Sequence, residues 1–309
     1  MKNSIDKTIF LLLFSWQLLF AGMTAFEIKP SSMKESSYEK IKILDSKRLK
    51  FDDISGVKIS ELSGLAYKNG YLYAVSDKGY LVVFRLLIKH NKIIKLTFVH
   101  KYKLRKKHSK IHHHDSEGLA LKGDDLLISF EGKERVNLFT PEGVKIKKIH
   151  INKALQNLEL YKSKNKGLEA VAYNKKYGII TAPEEPLKNV DKKYHRLYSN
   201  TNIYKFQAYG NITGLEFIDE NNIVVLLRSY HYFLPRRYTA LVKVDLSSCN
   251  KNHLCKSELL AAFDSNKGWN IDNFEGVTKV GKNRFIMVSD DNNNMFQKTL
   301  LVLFEIKED

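Results

Sequence analysis

The chain has 309 residues, of which 43% are hydrophobic and 28% charged, and its formal net charge is +17. That length and balance supply a sizeable core, as one large domain or two small ones, and exclude wholesale disorder. The basic excess is mostly lysine spread along the whole chain and favours anionic partners in general. No zinc-finger, helix-turn-helix or RNA-recognition pattern accompanies it, so nucleic acid is not the expected partner.

Lys2 and Lys7 precede an apolar run from Ile9 to Ala21, and the small residues Gly22, Thr24 and Ala25 follow. That order is the one found in secretory signal peptides. The run is short for a membrane span, and no later stretch is long or apolar enough to be one. Cleavage is expected near Ala25, with an uncleaved anchor as the alternative, and the chain is expected in the periplasm or outside the cell. Export makes a disulfide permissible between Cys249 and Cys255, the only two cysteines, where it would pin a small loop.

Residues 26–60 read as a polar, loose linker followed by a strand between Tyr38 and Phe51. From residue 61 to 309 a repeat takes over. Five short segments open with a small or acidic residue: Ser63-Gly64-Leu65, Glu117-Gly118-Leu119, Glu169-Ala170-Val171, Thr213-Gly214-Leu215 and Glu275-Gly276-Val277. Each leads through a turn such as Asn69-Gly70 or Gly123-Asp124 into a second apolar strand, the pattern of a hairpin. Further strands are predicted at 80–87, 93–100, 136–140, 144–151, 240–244 and 259–263. Units of about fifty residues with three or four antiparallel strands are the signature of propeller blades. The expected fold is an all-β propeller of five blades, with a sixth drawn from the irregular segments as the alternative count. The last unit has only three strands before the chain ends, so the strand near Ile41 is expected to close the ring. Lys153 to Tyr161 has helical spacing, and Pro183 to Asn202 reads as a long loop. Lys101 to His108 is the densest basic patch and reads as a solvated loop or an anion site.

In a propeller, the residues opening each inner strand form a ring about the axis. Here they are Ser63, Glu117, Glu169, Thr213 and Glu275. Fourteen positions out and back along a hairpin return to the same level, so Asp77, Glu131, Glu184, Arg228 and Asp290 are expected to form a second ring. Many carboxylates and one arginine would then share one mouth. They could hold a hard cation such as calcium, perform acid–base chemistry on an ester, or cap strand ends without any chemistry. His112-His113-His114-Asp115 could bind a transition metal or be a histidine-rich loop. Nucleophile-elbow, zincin and phosphate-loop motifs are absent, and the serines at 63, 76, 129 and 289 recur in a way that favours structure over nucleophilic attack.

The residues resemble the phytase-like family, also called "esterase-like activity of phytase". Leu62-Ser63-Gly64-Leu65 with Val75-Ser76-Asp77-Lys78-Gly79, and Asp115-Ser116-Glu117-Gly118 with Ser129-Phe130-Glu131, carry the match. So do Gly167-Leu168-Glu169-Ala170, Leu227-Arg228-Ser229-Tyr230, and Asn273-Phe274-Glu275-Gly276 through Ser289-Asp290-Asp291-Asn292 to Leu301. The resemblance implies a bacterial, secreted or periplasmic propeller and hydrolysis of a phosphate or carboxylic ester. Under that reading Glu117, Glu275 and Arg228 are the candidate catalytic residues. Asp77, Asp115, Glu131, Glu169 and Asp290 are the candidate ligands of calcium or another divalent metal, with no organic cofactor. The expected partner is a small ester or an anionic ligand of the envelope, and the expected state a monomer. A non-catalytic, calcium- or ligand-binding propeller is the alternative. Relatives tend to carry a second arginine after the position of Arg228; here Ser229 follows, and Arg236 and Arg237 come later.

Overall fold

The computed structural model describes residues 22–51, 58–109, 111, 113–163, 166–231 and 236–308. The expected signal peptide, residues 1–25, lies outside them as far as residue 21. Among the described residues, no helix is long and apolar enough to cross a membrane.

Five antiparallel sheets succeed one another around an axis. Before the first come β1 (Gly22–Ala25), β2 (Ser37–Tyr38) and β3 (Ile41–Lys50). Blade 1 is β4 (Leu62–Lys68), β5 (Tyr71–Ser76), β6 (Tyr80–Lys89) and β7 (Lys92–Lys103). In blade 2, β8 (Arg105–Lys106) lies parallel to the outer edge of β9 (Ser116–Lys122), β10 (Asp125–Phe130), β11 (Arg135–Phe139) and β12 (Val144–Ile149). Blade 3 is β13 (Leu168–Asn174), β14 (Gly178–Pro183), β15 (His195–Tyr198) and β16 (Ile203–Phe206). Blade 4 is β17 (Asn211–Phe217), β18 (Asn222–His231), β19 (Arg236–Asp245) and β20 (Lys256–Asp264). Blade 5 takes β21 (Asn273–Lys279), β22 (Arg284–Asp290) and β23 (Thr299–Ile306), and β3 completes it by pairing with β23 from Thr299↔Leu49 to Ile306↔Ile41.

The strands form where the residues favour a doubly covered pleat. In β18 the run Ile223-Val224-Val225-Leu226-Leu227 is wholly buried, as expected of a strand covered on both faces. The β4–β5 turn places Asn69 at φ 50° and Gly70 at φ 82°, the left-handed pair that suits a tight hairpin. The core is five clusters, each shared by two neighbouring blades. Blades 1 and 2, for example, meet through Val75, Leu81, Leu119, Phe130 and Phe139. Blades 5 and 1 meet through Leu65, Phe84, Ile286, Val288 and Leu301.

Several expectations are corrected. Residues 26–37 are not a loose linker: Ile28 is fully buried, Phe26 and Met33 pack on the core between blades 4 and 5, and Ile28 O accepts from Asn270 N at 2.9 Å. The segment 183–202 contains β15, whose alternate residues His195 and Leu197 are buried. Lys153–Leu155 and Leu158–Leu160 are single 3-10 turns, each capped by an asparagine, instead of one helix. The basic patch is mostly edge strand, anchored by the fully buried Leu104. The disulfide that the sequence permits between Cys249 and Cys255 is, by contrast, formed, across the β19–β20 connection.

Candidate functional site at the axial mouth

Each inner strand breaks register near its start. Ser63, Glu169, Thr213 and Glu275 are extra residues between paired neighbours, and Glu117 with Gly118 faces Ser129 alone. A bulge of this kind re-aims a side chain out of the ladder. Repeated in five blades, it turns five side chains toward one end of the axis. The small residue that follows lets the strands crowd together: a Cβ on Gly64 would lie 2.4 Å from Glu117 O, and one on Gly118 would lie 2.8 Å from Ala170 Cα.

Hydroxyl groups bind the blades at this end. Ser129 Oγ accepts from Gly118 N at 2.8 Å and donates to Glu169 O at 3.2 Å, which joins blades 2 and 3. Ser116 Oγ donates to Ser76 O at 2.7 Å, and Thr213 Oγ1 to Phe274 O at 3.1 Å. Ser289 Oγ donates to Lys298 O and accepts from Leu300 N. These serines hold backbone together, while Ser63 donates to the Asp77 carboxylate.

The carboxylates of both rings gather around Arg228. Its Nη1 donates to Glu275 Oε1 at 2.6 Å and to Asn273 Oδ1 at 2.5 Å, and Asn273 Nδ2 donates in turn to Glu275 Oε1 at 2.7 Å. Its Nη2 lies 3.6 Å from Glu184 and 3.8 Å from Glu169. Glu184 also accepts from Lys166 Nζ at 2.7 Å and Asn211 Nδ2 at 3.1 Å. Glu131 receives Gly167 N at 3.5 Å, and Asp290 receives Asn292 N at 2.8 Å. Glu117 is 6% exposed, yet among the described residues no donor reaches its carboxylate. Asp115 stands at the exposed rim with φ 58°; its N donates to Asp77 O, and its O accepts from Glu131 N.

Burial and mutual repulsion push Asp77, Glu117, Glu131, Glu169, Glu275 and Asp290 above the ordinary carboxyl range. Glu117 and Glu169 are raised well above it, first by burial and then by one another and their neighbours. Burial also raises Glu131 to about 7. Asp290 rises to about 9, through burial and the proximity of Glu275. For Glu275 the same burial is opposed by Arg228, leaving it at about 7. Burial alone would lower the pKa of Arg228, but Glu275, Glu169 and Glu184 outweigh it and raise it. The mouth therefore gathers several carboxyls whose proton affinity is raised, next to a guanidinium that favours their ionised forms.

An all-oxygen donor set has the chemistry that calcium prefers. Its placement is another matter: among the described residues no three His, Cys, Asp or Glu side chains are disposed to hold one ion, and Arg228 takes the position between Glu169, Glu184 and Glu275. Nor do the histidines assemble a site. His113 packs its ring on Phe130 and Phe139 at 5.6 and 5.9 Å, His114 is exposed, and His112 lies outside the described residues. Sequence reasoning missed Asn273 and Lys166 as partners. Asn273 stands two residues before Glu275, a spacing that could have flagged it; Lys166 comes from a loop with no pattern.

Above Arg228 a cavity of about 270 Å³ opens between Tyr230, Tyr238, Asn292 and Gln297. Fold and mouth together define a five-bladed β-propeller with a cluster of buried carboxylates around one arginine at one end of its axis. More particularly, the chain belongs to the Phytase-like family, whose description is "Esterase-like activity of phytase" and whose model matches residues 57–293. No curated protein sequence matches it. Among solved structures it is similar to the glutaminyl cyclase of Myxococcus xanthus, with TM-score 0.46 and 11% identity over 81% of this chain and 92% of that one. It is also similar to a chain of a nidogen–laminin complex, with TM-score 0.41 and 13% identity over 90% and 86%. The Dos1 propeller follows, with TM-score 0.35 and 7% identity over 85% and 74%.

Proposed function

We propose that the chain is an ester hydrolase working at the axial mouth, with carboxylic esters preferred to phosphate esters. The observation that carries this reading is the juxtaposition of buried carboxyls, raised above their ordinary range, with the one guanidinium of Arg228, which also lines a pocket open to solvent. Two such carboxyls can divide acid and base roles between chemically identical groups. Glu275, whose ionised form Arg228 favours, takes a proton from water as the water attacks the ester carbonyl. Glu117, whose carboxyl burial pushes well above the ordinary range, gives its proton to the departing alkoxide. Arg228 Nη2, with its nearest carboxylates beyond 3.5 Å, retains donor capacity for the developing oxyanion. Proton exchange with solvent then restores both carboxyls. The carboxylate excess repels a phosphate dianion, hence the preference for acyl esters.

The leader-like N-terminus supports export to the periplasm or medium, where cleavage near Ala25 would remove β1. A second reading is a non-catalytic propeller that holds calcium or a cationic ligand, favoured by the excess of carboxylates over cations at the mouth.

Purified protein assayed on p-nitrophenyl acetate and butyrate, with and without chelator, and for metal content, decides between them. Turnover of acyl esters, lost at least about a hundredfold in Glu275→Gln, is the expected result, with p-nitrophenyl phosphate turned over poorly. No turnover on any ester overturns the hydrolase, and bound calcium in that case favours the binding propeller.

A further inference from the structure

The hairpin turns of the inner strands lie at the end of the propeller opposite the mouth, and there β6 and β7 run on beyond their neighbours. Between this extension and the β21–β22 turn lies a cavity of about 890 Å³, within the range of small-ligand pockets (roughly 300–1,000 Å³). Its walls include Leu86, Leu87, Ile88, Phe98 and Val99, and Leu87 and Val99 are 49% and 46% exposed. Two arginines face the same space. Arg85 stacks on the Tyr71 ring at 4.7 Å, and Arg284 Nη1 donates to Asn91 Oδ1 at 3.1 Å. Both cations are thus steadied by neutral partners. Among the described residues neither forms an ion pair, although Glu305 lies opposite Arg284 in the strand register.

We propose that this cavity binds a single-chain amphiphile with an anionic head, specifically a long-chain fatty acid. An apolar trough alone would specify no occupant. Two guanidiniums that line the cavity without an ion-pair partner among the described residues favour an anionic head, and the forked donors of arginine suit a carboxylate. The trough then takes the alkyl chain along β6 and β7. The site is separate from the mouth and does not depend on the hydrolase reading.

Binding of decanoate, dodecanoate and dodecanol, each kept monomeric in solution, would be measured by calorimetry on the full chain. Dodecanoate is expected to bind more tightly than decanoate by about fourfold for each added methylene that enters the trough. Dodecanol is expected to bind at least about tenfold more weakly than dodecanoate. The double variant Arg85→Gln, Arg284→Gln should erase the difference between acid and alcohol while melting at the wild-type temperature. Equal binding of acid and alcohol by the wild-type chain, or no binding of either, overturns the proposal. So does a concentration-dependent dimer, seen in sedimentation, that Leu87→Glu dissociates: the trough would then be covered by a second copy.

Discussion

The two ends of the inner hairpins solve the same problem by different means. At the turn end, exposed side chains stitch neighbouring blades: Lys68 Nζ donates to Gly123 O at 2.6 Å, Asn174 Nδ2 to Glu220 O at 2.9 Å and Lys176 Nζ to Asn221 Oδ1 at 2.7 Å. At the mouth, buried hydroxyls and close backbone approaches do that work. Neither arrangement needs a carboxylate such as that of Glu117. Other acids of the mouth do join blades, as Glu275 and Glu184 do through Arg228 and Asn211, but Glu117 does not, and a buried carboxylate without a donor is costly unless neutralised.

The comparison can be broken most sharply at Arg228. Arg228→Met leaves Glu169, Glu184 and Glu275 without their central cation and should cost about 3–5 kcal/mol, the range for removing one partner of a buried ion pair. Urea denaturation at pH 7.5 measures it, and recovery at pH 5, below the value of about 7 for Glu275, would assign the loss to charge. Next, Gly64→Val drives a side chain into the Glu117 carbonyl and should cost about 1–3 kcal/mol by overpacking. A wild-type midpoint in that variant would mean that the inner strands can move apart.

Titration sharpens the contrast further. Asp290 binds its proton more tightly folded than unfolded, its pKa raised from 3.8 to about 9, so its contribution to stability falls as pH rises through that window. Glu275 and Glu131 act likewise up to about 7. His195 works in the opposite sense, its pKa lowered by burial from 6.5 to about 4, but only below pH 6.5. The melting temperature should therefore fall between pH 6.5 and 9, and the fall should be shallower in Asp290→Asn. Scanning calorimetry across that range would show it; a flat profile would mean that the mouth carboxyls titrate normally. The smallest effect belongs to the turn end, where Lys68→Met should leave the melting temperature unchanged within error because an exposed pair contributes little.

Much of this was legible before any coordinates. The hairpins announce themselves by alternation and by turn residues such as Asn69-Gly70, and the equal spacing of Glu117 with Glu131 and of Ser63 with Asp77 brings both rings to one level. What escaped was set by tertiary contacts. Ile28 stands in a polar stretch, and only the finished seam between blades 4 and 5 gives it somewhere to be buried. Strands β15 and β16 are four residues each, too short for periodicity to register. The bulges have no composition of their own; the small residue after each ring position is their one trace. The position of Arg228 at the centre of the cluster, instead of among the ligands of a separate cation, depends on distances that spacing cannot give.

Blade 5 joins β3, which begins at Ile41, to β23, which ends at Ile306. A chain leaving the ribosome can assemble four sheets in order of synthesis, but the fifth must wait until residue 306 has emerged. Until then β3 presents an open edge, and the seam that buries Ile28 lacks Leu300, Val302 and Phe304. Closure thus joins segments far apart in sequence, the kind of pairing that slows folding. A nascent chain stalled before β23 would be an incomplete ring with a sticky strand, a substrate for chaperones rather than a smaller version of the same protein.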